Sequence, residues 1–340
     1  MLVGVCDFPG DYLFPPTGYG GIERWLWAVA IGARRSGADV HLLGPRWRPE
    51  LADDWTVTPV RLEDLTPGGP QARHLHDTGY DLLVVGHEYP SLPAWRAVWK
   101  TLDCDVATFQ HWPYFEHHPD AFDGTRARLY CYSAEMVERY AAYWPTQELA
   151  VHLGLHETEP DAVDGDDLLW LGRIHAEKAP HLAIRTAAYL GRHITVVGPV
   201  FDTDYVDAHR DLFTADHVTL LGEVGGPAKM RLLADAGTLV YTCAPGYVEA
   251  GAASFGEALR AGTPVAALTW RPGSCAEAAL CDRTGVVATP CPGIDEEKVT
   301  WLLAEAIDQT FDMRAKEVQE IGMGRFDPVR HFTTLATRPC

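Results

Sequence analysis

Several features that mark major protein classes are absent from this sequence. No apolar run in its 340 residues approaches the length of a bilayer-spanning helix. The eight cysteines include no Cys-x-x-Cys pair, so we expect reduced thiols and neither disulfides nor a zinc site. Lysine occurs only five times, and the net charge is −19. Because neither half of the chain is basic, the charge argues against nucleic acid and anionic membrane surfaces as partners.

Familiar catalytic and metal-binding motifs are also missing. The sequence contains no Gly-x-Ser-x-Gly elbow and no P-loop. Two Asp-x-Asp pairs, at 103–105 and 202–204, occur at loop edges of an acidic chain, and His152 and His156 have i, i+4 spacing without a third ligand. We therefore predict no metal. The first residues, MLVGVCDFPG, have no basic segment before an apolar stretch, which predicts a cytoplasmic location.

Strand and helix patterns alternate along most of the chain. The strand LVGVC is followed by a glycine-containing loop, by a helix with apolar residues at helical spacing, and by the strand ADVHLLG. This order predicts a parallel sheet. The periodicity lapses around PTQELAVHLGLHETEPDAVDGDD, and a second series starts at DLLWLGRI. The fold class that we predict is α/β, with two Rossmann-like βαβ domains that face each other across a cleft.

The domain boundaries follow from that lapse. We predict an N-terminal domain over residues 1–150 and a C-terminal domain over residues 151–310. Residues 311–340 form a helical segment that we expect to pack back on the N-terminal domain. In such sheets, ligands bind at the carboxyl ends of the strands and in the cleft between domains.

Two carboxylates flank a run of small residues in PGYVEAGAASFGEALRAGTPVAAL, residues 245–268. Glu249 lies in the loop after a strand, and Glu257 lies in the helix predicted to end at Gly262. Free amides at a helix start, with Ala and Gly beside them, form a site that a phosphate or sugar can approach closely. A carboxylate such as Glu257 accepts hydrogen bonds from vicinal hydroxyls. The alternative is that both carboxylates are solvated and that the alanines only pack.

Three other groups of residues lie where strands are predicted to end. Arg173 and Lys178 follow the strand of LLWLGRIHAEKAPH, and two cations there suit a diphosphate, although each alone could be a surface residue. Gly20 and Gly21 lie in PTGYGGIERW, between the first strand and the first helix, where a tight turn is the alternative. His111 ends the strand of CDVATFQH, and such a lone histidine is more often structural than catalytic.

Taken together and in this order, these four groups of residues make the chain resemble the retaining nucleotide-sugar-dependent glycosyltransferases of the two-Rossmann-domain GT-B architecture. Within that class, the resemblance is to the large Glu-x7-Glu family. The resemblance extends from GGIE to RFDP, nearly the whole chain. Glu249 and Glu257 match the Glu-x7-Glu motif, and WLGRIHAEKAP matches the Gly-Arg-x4-Lys segment of the family. The chain differs where the family often has Glu-Gly-Phe-Gly, because Glu249 is followed by Ala-Gly-Ala, and Leu153-Gly154 replaces a common Asn-Gly. Both differences bear on donor identity.

The resemblance implies roles for the site residues. The N-terminal domain would bind the acceptor, and the C-terminal domain would bind a nucleotide sugar as co-substrate, with no cofactor. Glu257 would hold the ribose hydroxyls, Glu249 would face the donor sugar, Arg173 and Lys178 would neutralise the leaving diphosphate, and His111 would lie near the anomeric carbon. The remaining implied donor contacts are made largely by backbone and are those of Gly251, Ala252, Ala253, Gly20, Gly21, Gly222 and Val224.

The implied function is retaining, metal-independent transfer of a sugar from a nucleotide-sugar donor, with UDP-sugar as the expected donor, to a hydroxyl of a small molecule or saccharide. The short chain and the arginine-rich coding bias of a high-GC bacterium also suit antibiotic biosynthesis of the avilamycin type. Two alternatives stay open, a nucleotide-sugar epimerase of the same fold and a non-catalytic nucleotide-sugar sensor. The oligomeric state is not predicted.

Overall fold

The computed structural model forms two compact units, and each is described by itself. Unit 1 comprises Met1–Pro16, Gly20–Leu155 and Asp327–Cys340, and unit 2 comprises Thr17–Tyr19 and His156–Phe326. The structure describes residues 1–10, 13–17, 20–86, 93–124, 126–143, 146–148 and 159–337. The boundary predicted at 150/151 and the residues His152, Leu153, Gly154 and His156 lie outside these described residues.

Unit 1 is built on a seven-stranded sheet in which every neighbouring pair is parallel. The strands are β1 (Leu2–Cys6), β2 (Asp39–Leu43), β3 (Thr56–Thr58), β4 (Leu82–Val85), β5 (Asp105–Phe109), β6 (Ala127–Cys131) and β7 (Thr146–Glu148). Their order across the sheet is β3-β2-β1-β4-β5-β6-β7. The central strands are apolar along their length because helices cover both faces of a parallel sheet.

In the described part of unit 1, four α-helices lie between these strands along the chain. They are α1 (Ile22–Arg35), α2 (Pro70–Thr78), α3 (Pro93–Trp99) and α4 (Ala134–Arg139). In α1 the buried positions Trp25, Leu26, Val29 and Ala33 recur at helical spacing, and these side chains pack in the core with the strands.

Unit 2 contains a six-stranded sheet, also parallel throughout. The strands are β8 (Leu168–Leu171), β9 (Ile194–Val197), β10 (Val218–Gly222), β11 (Thr238–Tyr241), β12 (Val265–Leu268) and β13 (Gly285–Ala288). The strands lie in the order β10-β9-β8-β11-β12-β13, so the chain adds strands on one side of β8 up to β10 and then on the other side from β11 to β13. In open α/β sheets this switch point is where ligands bind.

Eight α-helices lie in the described part of unit 2. They are α5 (Pro180–Leu190), α6 (Thr203–Ala208), α7 (Arg210–Phe213), α8 (Gly226–Asp235), α9 (Ala253–Ala261), α10 (Cys275–Ala279), α11 (Glu296–Thr310) and α12 (Ala315–Arg325). Helix α9 ends at Gly262, whose φ of 93° lies in the left-handed region that glycine adopts readily. Within the described residues, no helix is long and apolar enough to cross a membrane.

The last described helix, α13 (Pro328–Ala336), belongs to unit 1. Trp25 of α1 donates a hydrogen bond from Nε1 to Nε2 of His331 at 2.9 Å, and Phe332 of α13 is part of the unit 1 core. The contact between the helices is close at Gly32, where an added Cβ would lie 2.0 Å from the Pro328 carbonyl oxygen. Of the residues predicted as one segment over 311–340, α12 therefore lies in unit 2 and α13 in unit 1.

The predicted fold class of two Rossmann-like α/β units is confirmed. Each strand predicted from an apolar run is present, and helix α9 starts and ends within the predicted stretch. Two short polar strands, β3 with the sequence TVT and β7 with TQE, were not predicted, because neither contains the apolar run that identifies a buried strand.

Candidate functional site

Arg173 and Lys178 lie in the segment between β8 and α5, at the carboxyl end of a central strand. The Arg173 guanidinium donates from Nη2 to Oε2 of Glu177 at 2.9 Å. A short 3₁₀ turn over Ala176–Lys178 then ends at Ala179, which has a φ of 44°. A left-handed alanine costs conformational energy, so the turn that presents Lys178 is imposed by its surroundings.

Lys178 is in direct contact with Glu249, which lies in the loop between β11 and α9. The ammonium donates to Oε2 of Glu249, and both side chains are largely buried. Tyr241 donates its hydroxyl to the same carboxylate oxygen at 2.9 Å. The Lys178 ammonium also lies 4.8 Å from the centre of the Tyr247 ring, within the range of a cation–π contact. The structure therefore brings together two of the residues predicted from sequence and adds two tyrosines to them.

The loops after β8 and β11 are joined by backbone and side-chain hydrogen bonds. The Ala244 amide donates to the Glu177 carbonyl at 2.9 Å, and the Thr242 hydroxyl lies 2.7 Å from the Lys178 carbonyl oxygen. Trp170 of β8 donates from Nε1 to the Thr242 oxygen at 3.0 Å. These bonds fix the segments that present Lys178 and Glu249, so the site is preorganised.

The tyrosines and the nearby thiol stay protonated at neutral pH. Burial, and then the charge of Glu249, raise the pKa of Tyr241 well above its usual value and that of Tyr247 to about 12. The same causes raise the pKa of the Cys275 thiol. Both phenols are therefore hydrogen-bond donors, and Cys275 is a poor nucleophile.

The start of α9 lies beside this cluster. Ala252 is the N-cap and Ala253 the first helical residue, and the Ala252 side chain makes no capping hydrogen bond. Gly251, Ala252 and Ala253 are all half-buried. Backbone N–H groups at such a helix start can donate to an anion, and small side chains let the anion come close.

Glu257 projects from the second turn of α9 and is 3% exposed. Its Oε1 accepts a hydrogen bond at 2.6 Å from Nζ of Lys229, which lies in the first turn of α8. Lys229 is itself 7% exposed. The carboxylate predicted to hold ribose hydroxyls is thus one half of a buried ion pair.

Two of the predicted donor contacts, Gly222 and Val224, lie at the end of β10 and in the loop that follows it. Gly222 is exposed, and its φ of 68° is in the left-handed region. Its carbonyl accepts from the Gly198 amide at 2.8 Å, and Val224 follows as a half-buried loop residue before α8. Gly222 and Val224 share the carboxyl edge of the unit 2 sheet with Arg173 and Lys178.

The remaining predicted site residues belong to unit 1. Gly20 has a φ of 143°, and the Glu23 carboxylate lies over it so closely that an added Cβ would overlap Oε1. Gly21 is the N-cap of α1. His111 follows β5, with Nδ1 3.3 Å from the Tyr132 hydroxyl and its ring edge-on to Trp25. Both segments follow the carboxyl ends of strands of their own sheet.

An apolar cavity of about 540 Å³ opens at the carboxyl ends of β11, β12 and β13. Ala179, Ala244 and Pro245 line it, next in sequence to Lys178 and the Glu249 loop, and Trp270 and Pro290 line it from the other strands. Trp270 donates from Nε1 to the Cys243 carbonyl at 2.7 Å, which fixes its ring.

The charged groups of the unit 2 site form three ion pairs. They are Arg173 with Glu177, Lys178 with Glu249, and Lys229 with Glu257. Among the described residues, no group of three or more His, Cys, Asp or Glu side chains could hold a metal ion. An anion that binds here therefore meets cations that already have carboxylate partners.

Sequence reasoning missed Glu177, Tyr241, Tyr247 and Lys229. Lys229 could have been noticed, because it lies four residues before Leu233 on the buried face of α8, where a cation is out of place. The other three could not have been identified, since their contacts depend on how the loops after β8 and β11 meet.

The fold of these units is the GT-B fold of glycosyltransferases. AviGT4, described as a glycosyltransferase involved in avilamycin A biosynthesis, has a TM-score of 0.73 and 21% identity, over 98% of this chain and 95% of that chain. WaaG, a glycosyltransferase involved in lipopolysaccharide biosynthesis, has a TM-score of 0.66 and 16% identity over 100% of both chains. Anabaena Alr3699/HepE in complex with UDP-glucose has a TM-score of 0.67 and 18% identity, over 98% of this chain and 97% of that chain.

The sequence matches no protein-family model and no curated protein. At these identities the structural similarity establishes the fold alone, and the residues of the site provide the argument for function.

Proposed function

We propose that this chain is a retaining glycosyltransferase that moves a sugar from a nucleotide-sugar donor, a UDP-sugar, to a hydroxyl of a small-molecule or saccharide acceptor. The observation that supports this most is the cluster of Arg173, Lys178 and Glu249 beside the start of α9 at the switch point of the unit 2 sheet. Two solved structures of similar fold add support, since HepE is in complex with UDP-glucose and AviGT4 is a glycosyltransferase of avilamycin A biosynthesis.

In the proposed mechanism the donor diphosphate binds between the two cations and the amides of Ala252 and Ala253. The diphosphate oxygens replace Glu177 at Arg173 and Glu249 at Lys178, which leaves Glu249 available to accept hydrogen bonds from the donor sugar. The Glu257 carboxylate accepts from the ribose hydroxyls. Negative charge that develops on the leaving diphosphate is met by two cations, so we propose that no metal is required.

The glycosidic bond breaks through an oxocarbenium-like state, and the acceptor hydroxyl attacks from the same face. The departing phosphate oxygen takes the acceptor proton, so that the product sugar keeps its anomeric configuration and nucleoside diphosphate is released. His111 of unit 1 is proposed to lie near the anomeric carbon. We propose a cytoplasmic location for this reaction.

The first test is a thermal-shift panel of UDP-, GDP-, ADP- and dTDP-sugars, because a ligand that binds only the folded state raises the melting temperature. The second is release of free nucleoside diphosphate from the donor that binds, with and without EDTA, followed by NMR of the anomeric proton of the product. We expect UDP-sugars to give the largest shift, EDTA to have no effect, and the anomeric configuration to be retained. No shift with any donor, or an inverted product, would contradict the proposal.

A further inference from the structure

We infer that Lys229 is a positioning residue of the nucleotide site, which keeps the Glu257 carboxylate charged and fixed so that it accepts hydrogen bonds from the two ribose hydroxyls. This inference rests on the proposed function. Lys229 itself need not touch the nucleotide, since it acts through Glu257.

The geometry of the pair is specific. Nζ of Lys229 lies 2.6 Å from Oε1 of Glu257, and the two side chains are 8% and 4% exposed. Each comes from a different helix, Lys229 from α8 and Glu257 from α9. Because the ammonium and the carboxylate are both removed from water, each fixes the rotamer of the other.

Stability alone gives no reason to place a lysine here. A buried ion pair is seldom better for stability than two well-packed apolar side chains, because desolvation of both charges offsets their attraction. Lys229 also lies in the first turn of α8, where the helix dipole disfavours a cation. Its buried neighbours on the same helix, Met230 and Leu233, show that an apolar side chain suits this position.

The pair does have a consequence for binding. A buried carboxylate without a cation tends to take up a proton, and a protonated carboxyl group has a donor where a ribose hydroxyl needs an acceptor. An ammonium 2.6 Å from Oε1 favours the ionised form of this carboxylate, which only accepts hydrogen bonds. Its orientation is also set before the nucleotide arrives, which reduces the entropic cost of binding.

The test compares UDP with 2′,3′-dideoxy-UDP by calorimetry, on the full chain. In the wild-type protein we expect UDP to bind roughly tenfold to a hundredfold more tightly than the dideoxy analogue, since the analogue lacks the hydroxyls that Glu257 binds. In Lys229→Met we expect UDP affinity to fall by most of that factor and the affinity of the analogue to change by less than about threefold. The ratio of the two affinities thus reports on the hydroxyls, and a general loss of structure would not change it selectively.

Matched variants keep the result interpretable. Lys298→Met removes an exposed lysine of α11 and is expected to leave both affinities unchanged. Lys229→Arg keeps a positive charge beside Glu257 and is expected to retain most of the preference for UDP. If Lys229→Met does not fold, Lys229→Gln, which can still donate a hydrogen bond to Glu257 but has no charge, is expected to lose most of the preference.

Two failures can be told apart. A folded Lys229→Met or Lys229→Gln variant that discriminates UDP from its dideoxy analogue as the wild type does would overturn this inference and leave the proposed function intact. A wild-type chain that binds none of UDP, GDP, ADP or dTDP would overturn the proposed function, and this inference with it.

Discussion

The ammonium of Lys178 and the carboxylate of Glu249 are in direct contact, although the resemblance to glycosyltransferases assigns one to the diphosphate and the other to the donor sugar. The contact joins the loop after β8 to the loop after β11, on either side of the switch point. The two proposed roles are therefore coupled, because the diphosphate is proposed to replace Glu249 at Lys178.

Lys178→Met is predicted to reduce turnover by roughly 10²–10³-fold at saturating donor, because it removes one of the two cations proposed to meet the developing charge. The measurement is release of nucleoside diphosphate under multiple-turnover conditions. Lys298→Met, which removes an exposed lysine paired with Asp295, is the control and should match the wild type. Near-wild-type turnover of Lys178→Met would remove this residue from the site.

Glu249→Gln is predicted to separate binding from chemistry. UDP should bind roughly fivefold to tenfold more tightly, since the variant no longer holds a negative charge at Lys178 that competes with the diphosphate. Transfer should nevertheless slow, because the amide accepts fewer hydrogen bonds from the donor sugar than the carboxylate does. Calorimetry with UDP and steady-state kinetics measure the two effects, and weaker UDP binding would count against the exchange at Lys178.

Glu177→Gln should also strengthen binding of UDP, by a smaller factor. The Glu177 side chain is 42% exposed, so solvent screens its pairing with Arg173, and the expected gain is roughly twofold to fivefold. The control is Glu317→Gln, which removes a similarly exposed carboxylate paired with Arg283 in unit 2. Equal effects of the two substitutions would mean that only net charge matters.

His117 is predicted to make unit 1 sensitive to acid. His117 is 3% exposed, its Nε2 lies 2.6 Å from Oε1 of Gln110, and burial lowers the pKa of His117 from its usual value of about 6.5 to about 4. The unfolded chain takes up a proton near pH 6.5 and the folded chain only near pH 4. The free energy of unfolding should therefore fall as the pH drops through this window, by about 2 kcal/mol between pH 7 and pH 5.

His117→Gln, whose amide can still donate to Gln110, should lose this part of the pH dependence, whereas His118→Gln at the exposed neighbouring position should keep it. Urea unfolding at several pH values, monitored by hydrogen exchange of unit 1 peptides, measures the pH dependence of the free energy of unfolding in the two variants. Equal pH dependence in the two variants would mean that other groups cause the acid sensitivity.

The sequence was sufficient to predict the order of the strands and helices and to identify the residues that follow the strands. Buried parallel strands are apolar along their whole length, so β1 and β8 were evident, and a residue that follows such a strand must lie at the carboxyl edge of its sheet. Arg173 and Glu249 were located in this way. Their ion-pair partners were not predicted, because pairing is decided by side-chain packing between distant loops, and Lys229 with Glu257 depends on how α8 packs against α9.

The return of α13 to unit 1 has a consequence for how the chain is made. Phe332 and Leu335 of α13 belong to the core of unit 1, and Trp25 donates a hydrogen bond to His331 of the same helix. Because synthesis proceeds from the N-terminus, the strands of unit 1 emerge from the ribosome first. The core of unit 1 then stays incomplete while His156–Phe326 is translated. The unit that begins first is completed last.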